Sequence, residues 1–303
     1  MSSAELATTT WVSAASRCLD KYWELTKPKV VAAIVFTAIV GMLLGARSPP
    51  PLDLVLRASL GIWLAAASAA ALNHVLDRKF DAEMRRTRRR PLPSGQLTAR
   101  AALIFAGTLG VLSMLILWWS VNPLTALMTF ASLIGYSVIY TVWLKHLTPQ
   151  NIVIGGAAGA MPPVLGWAAV TNGITADAWL LFGIIFTWTP PHFWALAVAR
   201  RDEYAKAGIP MLPVTHGVEF TCTFIVLYTV LLIVVTTLPY LTGMSGLLYL
   251  AGALLLNAAF LRDALTLRAS PNPKLAMRTF RHSIHYLLLL FTLLLLDHYG
   301  RAL

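Results

Sequence analysis

Residues 101–144 read AALIFAGTLGVLSMLILWWSVNPLTALMTFASLIGYSVIYTVWL and contain no charged side chain. One helix needs about 20 apolar residues to cross the hydrocarbon core of a bilayer, so this stretch is long enough for two helices. Asn122-Pro123 lies near its middle, and such a pair interrupts a helix because proline has no backbone N–H to donate. The stretch therefore predicts two membrane helices joined at residues 122–123.

Long uncharged runs continue along the rest of the chain. They cover residues 30–46, 58–76, 147–176, 178–199, 220–261 and, more weakly, 282–296. The run 220–261 is too long for one helix and divides around Pro239 and residues 242–246. The run 147–176 predicts a single helix with a kink at Pro162-Pro163. Nine membrane helices are predicted in total.

The composition agrees with a membrane protein. Of the 303 residues, 57% are hydrophobic and only 12% are charged, which lies outside the usual range of soluble proteins. We expect an all-α integral membrane protein with nine transmembrane helices around a central cavity. The chain is predicted to form one domain, residues 1–303, with a cytoplasmic N-terminal segment (1–29) and a nine-helix core (30–299).

The distribution of positive charge predicts the orientation of the helices. Nine spans place the two termini on opposite sides, and Lys and Arg accumulate in loops on the cytoplasmic side. With the N-terminus inside and the C-terminus outside, 21 of the 24 Lys and Arg residues lie inside, and Arg47, Arg57 and Arg301 lie outside. The net charge of +11 follows this topology, so we expect contact with the lipid bilayer and none with nucleic acid.

A stripe of oxygen-bearing side chains stands at the inner end of the second predicted helix. Asn73, Asp77 and Asp81 are spaced four residues apart, which stacks them on one helix face. Carboxylate and amide oxygens suit a hard cation such as Mg²⁺, so these three residues are predicted metal ligands. The alternative is a solvated helix end at which the aspartates pair with Arg78 or Arg85.

Basic residues are predicted to lie on the same membrane face as this stripe. They are Arg78, Lys79, the cluster 85–90, Lys145, Arg201 and Lys206. Metal-binding carboxylates beside Lys and Arg suit a diphosphate, because the cations can hold phosphoryl oxygens directly. The alternative is that these residues anchor the protein to lipid headgroups.

Several motifs carry a resemblance to a known family. Residues 73–87 (NHVLDRKFDAEMRRT) resemble the first aspartate-rich motif of the intramembrane aromatic prenyltransferase superfamily. The segments 26–28 (TKP), 140–145 (YTVWLK), 151–159 (NIVIGGAAG), 188–194 (WTPPHFW) and 207–213 (AGIPMLP) resemble its protohaem IX farnesyltransferase, or haem O synthase, branch. The resemblance extends from about residue 24 to residue 290.

The resemblance implies a reaction and a set of site residues. It implies Mg²⁺-dependent transfer of farnesyl from farnesyl diphosphate to a vinyl group of haem B, with addition of water, to give haem O and diphosphate. It also implies a haem A synthase as a partner. The implied catalytic residues are Asp77, Asp81, Lys145, Asp202 and Lys206. The implied diphosphate contacts are Lys27, Arg78, Tyr140, Lys145 and Lys206. The implied metal ligands are Asn73, Asp77, Asp81 and Asp202.

One position departs from the superfamily pattern. The second motif usually has two aspartates four residues apart, whereas here Asp202 is followed by Lys206. A lysine cannot hold Mg²⁺, so Lys206 is expected to contact phosphate directly. The number of metal ions that the site holds is therefore left open.

Two further residues are candidates for binding haem. His192 lies inside an apolar helix beside Pro190-Pro191, where an ionisable side chain needs a partner. It is either an iron ligand or a histidine that bonds a carbonyl freed by the kink. Arg281 is a candidate for a haem propionate, or else a basic residue at a helix entry.

Other functions fit parts of the same sequence. The nearest alternative is a prenyltransferase acting on a quinone precursor or chlorophyllide. A transporter also fits nine helices with buried polar groups, as does a haem-handling assembly factor without catalysis. Residues 1–29 resemble neither a signal peptide nor a transit peptide, which favours a bacterial inner membrane over a mitochondrial one.

The predicted topology can be tested with terminal tags. A tag at residue 1 should be accessible from the cytoplasm and a tag at residue 303 from the opposite side, because nine spans separate the termini. Accessibility to a membrane-impermeant reagent in intact and permeabilised cells measures both. Detection of the two tags on one side would contradict an odd number of spans.

Overall fold

The architecture is a bundle of long helices. In a computed structural model that describes residues 19–84, 86–144 and 147–301, nine helices are long and apolar enough to cross a membrane. They are α1 (Pro28–Gly45), α2 (Leu52–Leu76), α3 (Ala99–Ser120), α4 (Pro123–Leu144), α5 (Asn151–Thr171), α6 (Ala176–Ala199), α7 (Val218–Leu241), α8 (Leu247–Ala269) and α9 (Pro273–Gly300). The prediction of nine membrane helices is confirmed for these residues.

The uncharged run 101–144 divides at the expected pair, Asn122-Pro123. Asn122 caps α4, since its Oδ1 accepts a hydrogen bond from the Thr125 backbone N–H at 2.8 Å. Its Nδ2 donates to the Ala168 carbonyl of α5 at 3.0 Å. The break therefore also fixes the turn between α3 and α4 against a neighbouring helix.

Two helices begin more than a turn before their uncharged runs, and α8 continues to Ala269, eight residues beyond the run that ends at 261. The prediction that the second helix begins at residue 58 is wrong, because Asp53 and Arg57 form an i,i+4 ion pair within its first turns. The prediction that the last helix begins at residue 282 is also wrong. It begins at Pro273, where Asn272 caps it by accepting from the Leu275 N–H at 2.9 Å.

The two predicted interruptions are present. α5 spans Asn151–Thr171 within the run 147–176, and its two halves meet at Met161, immediately before Pro162-Pro163. α7 continues through Pro239 to Leu241, and the turn to α8 follows in residues 242–246. A proline near the last turn of a helix is tolerated when neighbouring residues compensate the lost hydrogen bond.

α1 and α5 approach each other at backbone distance. A Cβ on Gly166 would overlap the Ala38 carbonyl oxygen, and a Cβ on Gly41 would overlap the Pro163 carbonyl oxygen. Small residues allow this approach, and close packing supports helix association where water provides no driving force. The α1–α5 contact therefore depends on glycine on both sides.

Buried polar side chains connect α7, α8 and α9. The Tyr286 hydroxyl donates to Asn257 Oδ1 at 2.6 Å, and Asn257 Nδ2 donates to Thr236 Oγ1 at 2.9 Å. At the far end of α9, Asp297 accepts from the Gly246 N–H at 2.6 Å and so satisfies a free donor at the start of α8. These bonds fix the relative positions of the last three spans.

One end of the bundle carries two short helices, and we call it the site end. Arg78–Glu83 follows α2 and Arg201–Lys206 follows α6. The segment that continues from Arg78–Glu83 turns back over it, since the Thr87 and Arg88 N–H groups both donate to the Met84 carbonyl. These segments lie over the ends of α2 and α6 and form one side of the cavity described below.

The glycine contact gives a stability prediction. Gly166→Ala should destabilise the protein by about 1–3 kcal/mol, because the new methyl group must push α1 away from α5. Gly159→Ala is the matched control on the same helix, as a Cβ there meets open space. Thermal unfolding in detergent should show a lower Tm for Gly166→Ala and an unchanged one for Gly159→Ala. Equal Tm values for the two variants would disprove the close approach.

Candidate active site

The predicted acidic stripe is buried where α2 ends. Asn73, Asp77 and Asp81 each retain only 5% of their surface exposed. Asn73 Nδ2 donates to Asp77 Oδ2 at 2.8 Å, as the four-residue spacing predicts. Lys27, which precedes α1, donates from Nζ to Asn73 Oδ1 at 2.5 Å. An ammonium group therefore stands beside the amide and the first carboxylate.

Asp81 is held twice by the segment that follows it. Arg90 NH1 donates to Asp81 Oδ2 at 2.7 Å, with 18% of the arginine side chain exposed. The buried Thr87 hydroxyl donates to the Asp81 backbone carbonyl at 2.9 Å. Hydrogen bonds to a charged group are stronger than neutral ones, so Arg90 both orients this carboxylate and offsets its charge.

These residues open onto a cavity of about 170 Å³. Its polar side is formed by acidic, amide, basic and tyrosine side chains: Lys27, Asn73, Asp77, Asp81, Arg86, Arg90, Tyr136, Tyr140 and Tyr204. Its apolar side is formed by Met84, Ile152, Phe193, Ala197, Ile209 and Met211. The arrangement suits a ligand with an anionic end and a hydrocarbon end.

An irregular stretch of α4 supplies the tyrosines. Residues Gly135–Leu144 are π-helical, a conformation that is frequent at functional sites. The rings of Tyr136 and Tyr140 stack with centroids 5.5 Å apart. A Cβ on Gly155 of α5 would overlap the Tyr140 ring. The ring can therefore occupy its position in the cavity wall only because residue 155 is glycine.

The cavity edge outside the helical spans is electropositive. Removal of water lowers the pKa of Arg86 from its ordinary value, and the neighbouring Arg90 lowers it further. Burial raises the pKa of Tyr204, against the opposing effect of Arg86 and Arg200. Two guanidinium groups close enough to repel each other favour the binding of an anion between them.

The structure brings together some of the predicted site residues. Lys27, Asn73, Asp77, Asp81 and Tyr140 all line the cavity. Lys145, predicted as a catalytic residue and a diphosphate contact, lies outside the described residues.

Three other predicted residues are not brought to the cavity. Arg78, Asp202 and Lys206 are exposed and do not line it. In the short helix Arg201–Lys206, Tyr204 lines the cavity, and a residue two positions away on a helix points to the opposite side. The roles of Asp202 in metal binding and of Arg78 and Lys206 in phosphate binding stay predictions.

His192 is buried among aromatic rings. Its Nδ1 lies 2.6 Å from the Ser283 hydroxyl of α9. Trp188 and Phe280 stack on the imidazole at centroid distances of 4.2 and 4.5 Å. Its polar partner is thus a side chain of α9, whereas the sequence offered either a haem iron or a carbonyl freed by the kink. The role as iron ligand stays a prediction. Arg281 is exposed, and its Nε donates weakly to the Met277 carbonyl of its own helix.

Four polar residues of the cavity were not singled out individually from the sequence. Arg86 and Arg90 lie in the basic cluster 85–90, but nothing in a run of arginines shows which ones turn inward. Tyr136 precedes the motif residue Tyr140 by four positions, a spacing that can be read from the sequence. Tyr204 lies midway between Asp202 and Lys206, so the helical phase of that segment was needed to find it.

The donor set fits a divalent cation. Asp77 and Asp81 provide carboxylates at the same buried wall, and Mg²⁺ is commonly held by one or two carboxylates, water and substrate phosphates. Within the described residues no group of three His, Cys, Asp or Glu side chains could hold a metal by itself. The residues therefore suit a cation that shares its ligands with a phosphorylated substrate.

A cavity of this kind at one end of a helical membrane bundle suits a membrane-embedded enzyme that acts on a lipid diphosphate. A family model described as the UbiA prenyltransferase family matches residues 34–293. The chain belongs to this family.

Individual relatives extend the comparison over nearly the whole chain. The protoheme IX farnesyltransferase of Methylococcus capsulatus is 59% identical over 278 residues, covering 92% of this chain and 93% of the relative. The protein of the same name from Nitrosococcus oceani is 56% identical over 294 residues, covering 97% and 98%.

Solved structures share the fold at low identity. A digeranylgeranylglyceryl phosphate synthase superposes with a TM-score of 0.78 at 18% identity, covering 93% of this chain and 99% of that one. A UbiA homologue from Archaeoglobus fulgidus, bound to DMAPP and Mg²⁺, superposes with a TM-score of 0.62 at 16% identity, covering 90% and 99%. The predicted all-α fold with nine membrane helices is confirmed for the described residues, and the orientation of the termini stays a prediction.

The contact between Arg90 and Asp81 gives a binding prediction. Arg90→Ala should weaken binding of inorganic diphosphate about tenfold, because a charge-assisted hydrogen bond contributes about 1.5–3 kcal/mol. Arg89→Ala is the control, since Arg89 is an exposed member of the same cluster that does not line the cavity. Calorimetric titration measures both. Equal affinities for the two variants would show that Arg90 does not face the bound anion.

Proposed function

We propose that this protein transfers the farnesyl group of farnesyl diphosphate to a vinyl group of haem B. The allylic C–O bond breaks and its electron pair leaves with diphosphate. The farnesyl carbon bonds to one vinyl carbon, the oxygen of water bonds to the other, and water loses a proton, giving haem O. The observation that carries the proposal is a cavity with acids, cations and an apolar wall in a chain 59% identical to a protoheme IX farnesyltransferase.

The acidic stripe is the proposed metal site. Asn73, Asp77 and Asp81 would hold Mg²⁺, with Asp202 as a further predicted ligand. When bound, the cation offsets negative charge on the diphosphate and so helps the C–O bond to ionise. Lys27 and Arg90 keep the amide and the second carboxylate oriented toward the cavity, at 2.5 and 2.7 Å from their partners.

The cations of the cavity are the proposed diphosphate contacts. Lys27, Arg86 and Arg90 reach the cavity directly, and Tyr140 can donate a hydrogen bond from its hydroxyl. Fixed positive charge acts most strongly as negative charge develops on the leaving group. Lys145, Lys206 and Arg78 remain proposed contacts from their sequence positions alone.

The apolar wall is proposed to hold the reacting end of the farnesyl chain. Ile152, Phe193 and Met211 line it, and Phe193 has 41% of its surface exposed. An aromatic face stabilises a nearby cation, and an apolar wall keeps water from it. Because Phe193 both lines the cavity and is partly exposed on the outer surface, we propose that the cavity opens toward the membrane beside this residue.

Haem contacts are proposed at His192 and Arg281. Because His192 Nδ1 bonds Ser283, iron would have to bind Nε2, the other ring nitrogen. Arg281 is exposed on α9 between Phe280 and Ser283, the two residues of that helix that contact His192, and would hold a propionate. Neither residue lines the cavity, so these contacts require haem to extend beyond it.

Two alternatives are less consistent with these observations. Another acceptor, such as a quinone precursor or chlorophyllide, fits the cavity chemistry but not the names of the relatives. A transporter would place its charged groups near the bilayer midplane, whereas here they gather at one helix end.

The setting of the enzyme follows from the same proposal. We place it in a bacterial inner membrane with the site end in the cytoplasm, in keeping with the basic residues at that end. Haem B and farnesyl diphosphate are its substrates, and a haem A synthase is the proposed partner that receives haem O.

The metal assignment is tested by the two aspartates. Asp77→Ala and Asp81→Ala should each lower haem O formation at least about a hundredfold, since loss of a metal ligand removes stabilisation of the leaving group. Glu83→Ala is the control, because Glu83 is an exposed acid in the same short helix as Asp81. Monodisperse elution in detergent checks folding. Turnover near wild type in either aspartate variant would refute the metal site.

A further inference from the structure

A buried carboxylate connects α8 and α9 near the site end. Asp263 of α8 has 3% of its side chain exposed, and three basic groups converge on it. Arg278 of α9 contacts Asp263 Oδ1 at 2.8 Å, and Arg262 approaches the same oxygen at 3.7 Å. His282 Nδ1 lies 2.7 Å from Oδ2. Two permanent positive charges thus share one negative charge.

Both guanidinium groups remain accessible. Arg262 has 71% and Arg278 has 55% of its side chain exposed. Each carries five N–H donors in a planar fork, and one shared carboxylate oxygen cannot use them all. Two exposed forks held beside each other match the oxygens of a phosphate group.

The pair lies near the site ends of both helices. Arg262 is seven residues before the end of α8 and Arg278 is five residues after the start of α9, or about 10 and about 8 Å from those ends. The two helices are about 35 and about 42 Å long, which exceeds the hydrocarbon core of about 30 Å. From these positions the long arginine side chains can extend to the headgroup layer, while their apolar stems stay in the hydrocarbon region.

Exposed leucines continue from each arginine toward the bilayer centre. Leu255 lies two helical turns from Arg262 on the same face and is 75% exposed. Leu289 lies three turns from Arg278 on the same face and is 51% exposed. A molecule with a phosphate at the arginines would have its hydrocarbon chains along these leucines.

We propose that Arg262 and Arg278 form a binding site for the headgroup of an anionic phospholipid, such as phosphatidylglycerol. Asp263 positions the two guanidinium groups, and Leu255 and Leu289 contact the acyl chains. None of these residues lines the catalytic cavity, so the site is separate from it and independent of the proposed reaction. A basic pocket between spans on the cytoplasmic side is a recognised way to bind such lipids.

The test is native mass spectrometry of the delipidated full-length protein titrated with phosphatidylglycerol, and with phosphatidylcholine of the same chains. Arg262→Gln/Arg278→Gln should raise the apparent Kd for phosphatidylglycerol at least about tenfold. The triple variant Arg262→Gln/Asp263→Asn/Arg278→Gln should raise this apparent Kd by a similar factor. It controls for misfolding, because it leaves no buried carboxylate without a partner. The control, Arg268→Gln/Lys274→Gln, removes two exposed charges from the same helix ends and should keep the wild-type Kd.

Three results would overturn the proposal. The triple variant could bind phosphatidylglycerol as the wild type does, which would leave the arginines without a role. The wild type could bind both lipids equally, in which case charge would not select the ligand. Finally, haem B could displace phosphatidylglycerol in direct competition, which would assign the arginines to the haem propionates.

Discussion

A carboxylate removed from water must be paired or hydrogen-bonded, and this requirement determines how the site end of the bundle is built. Asp77 accepts from Asn73, whose own oxygen is held by Lys27. Asp81 is paired with Arg90. The groups that allow the acids to be buried are therefore cations at the cavity wall, where they can also meet a phosphorylated ligand.

The same requirement explains why other segments surround the site. Lys27 precedes α1, Arg90 follows the short helix after α2, and Thr87 holds the Asp81 backbone. Two separate pieces of chain, the residue before α1 and the segment 86–90, are thus fixed by contacts with the acidic stripe. On α8 the buried Asp263 is likewise paired with Arg278 of α9, so an ion pair also connects the last two spans.

The sequence predicted those features that depend on local patterns. Uncharged runs locate the spans, and the four-residue spacing of Asn73, Asp77 and Asp81 gives their common face. It could not locate helix starts that contain charges, because Asp53 and Arg57 are compensated by each other and Arg278 by a residue of another helix. An ion pair makes a charge tolerable in a helix, and pairing is a property of the folded chain.

The cavity wall was harder to predict for a related reason. Asp202 and Lys206 follow the motif spacing, but the six-residue helix that carries them turns Tyr204 inward. The phase of so short a helix is set by its tertiary contacts, which no periodicity reveals. Similarly, Arg90 is one of five arginines between residues 85 and 90, and its contact with Asp81 distinguishes it.

We propose that the buried acids and their cations activate a prenyl diphosphate for transfer to haem. The most direct measurement incubates the purified protein with haem B, farnesyl diphosphate and Mg²⁺ and analyses the pigments by mass. We expect a product with the mass of haem B plus one farnesyl group and one hydroxyl group, formed together with diphosphate and absent when Mg²⁺ is chelated. Release of diphosphate with haem B unchanged would contradict the assignment of haem as the acceptor.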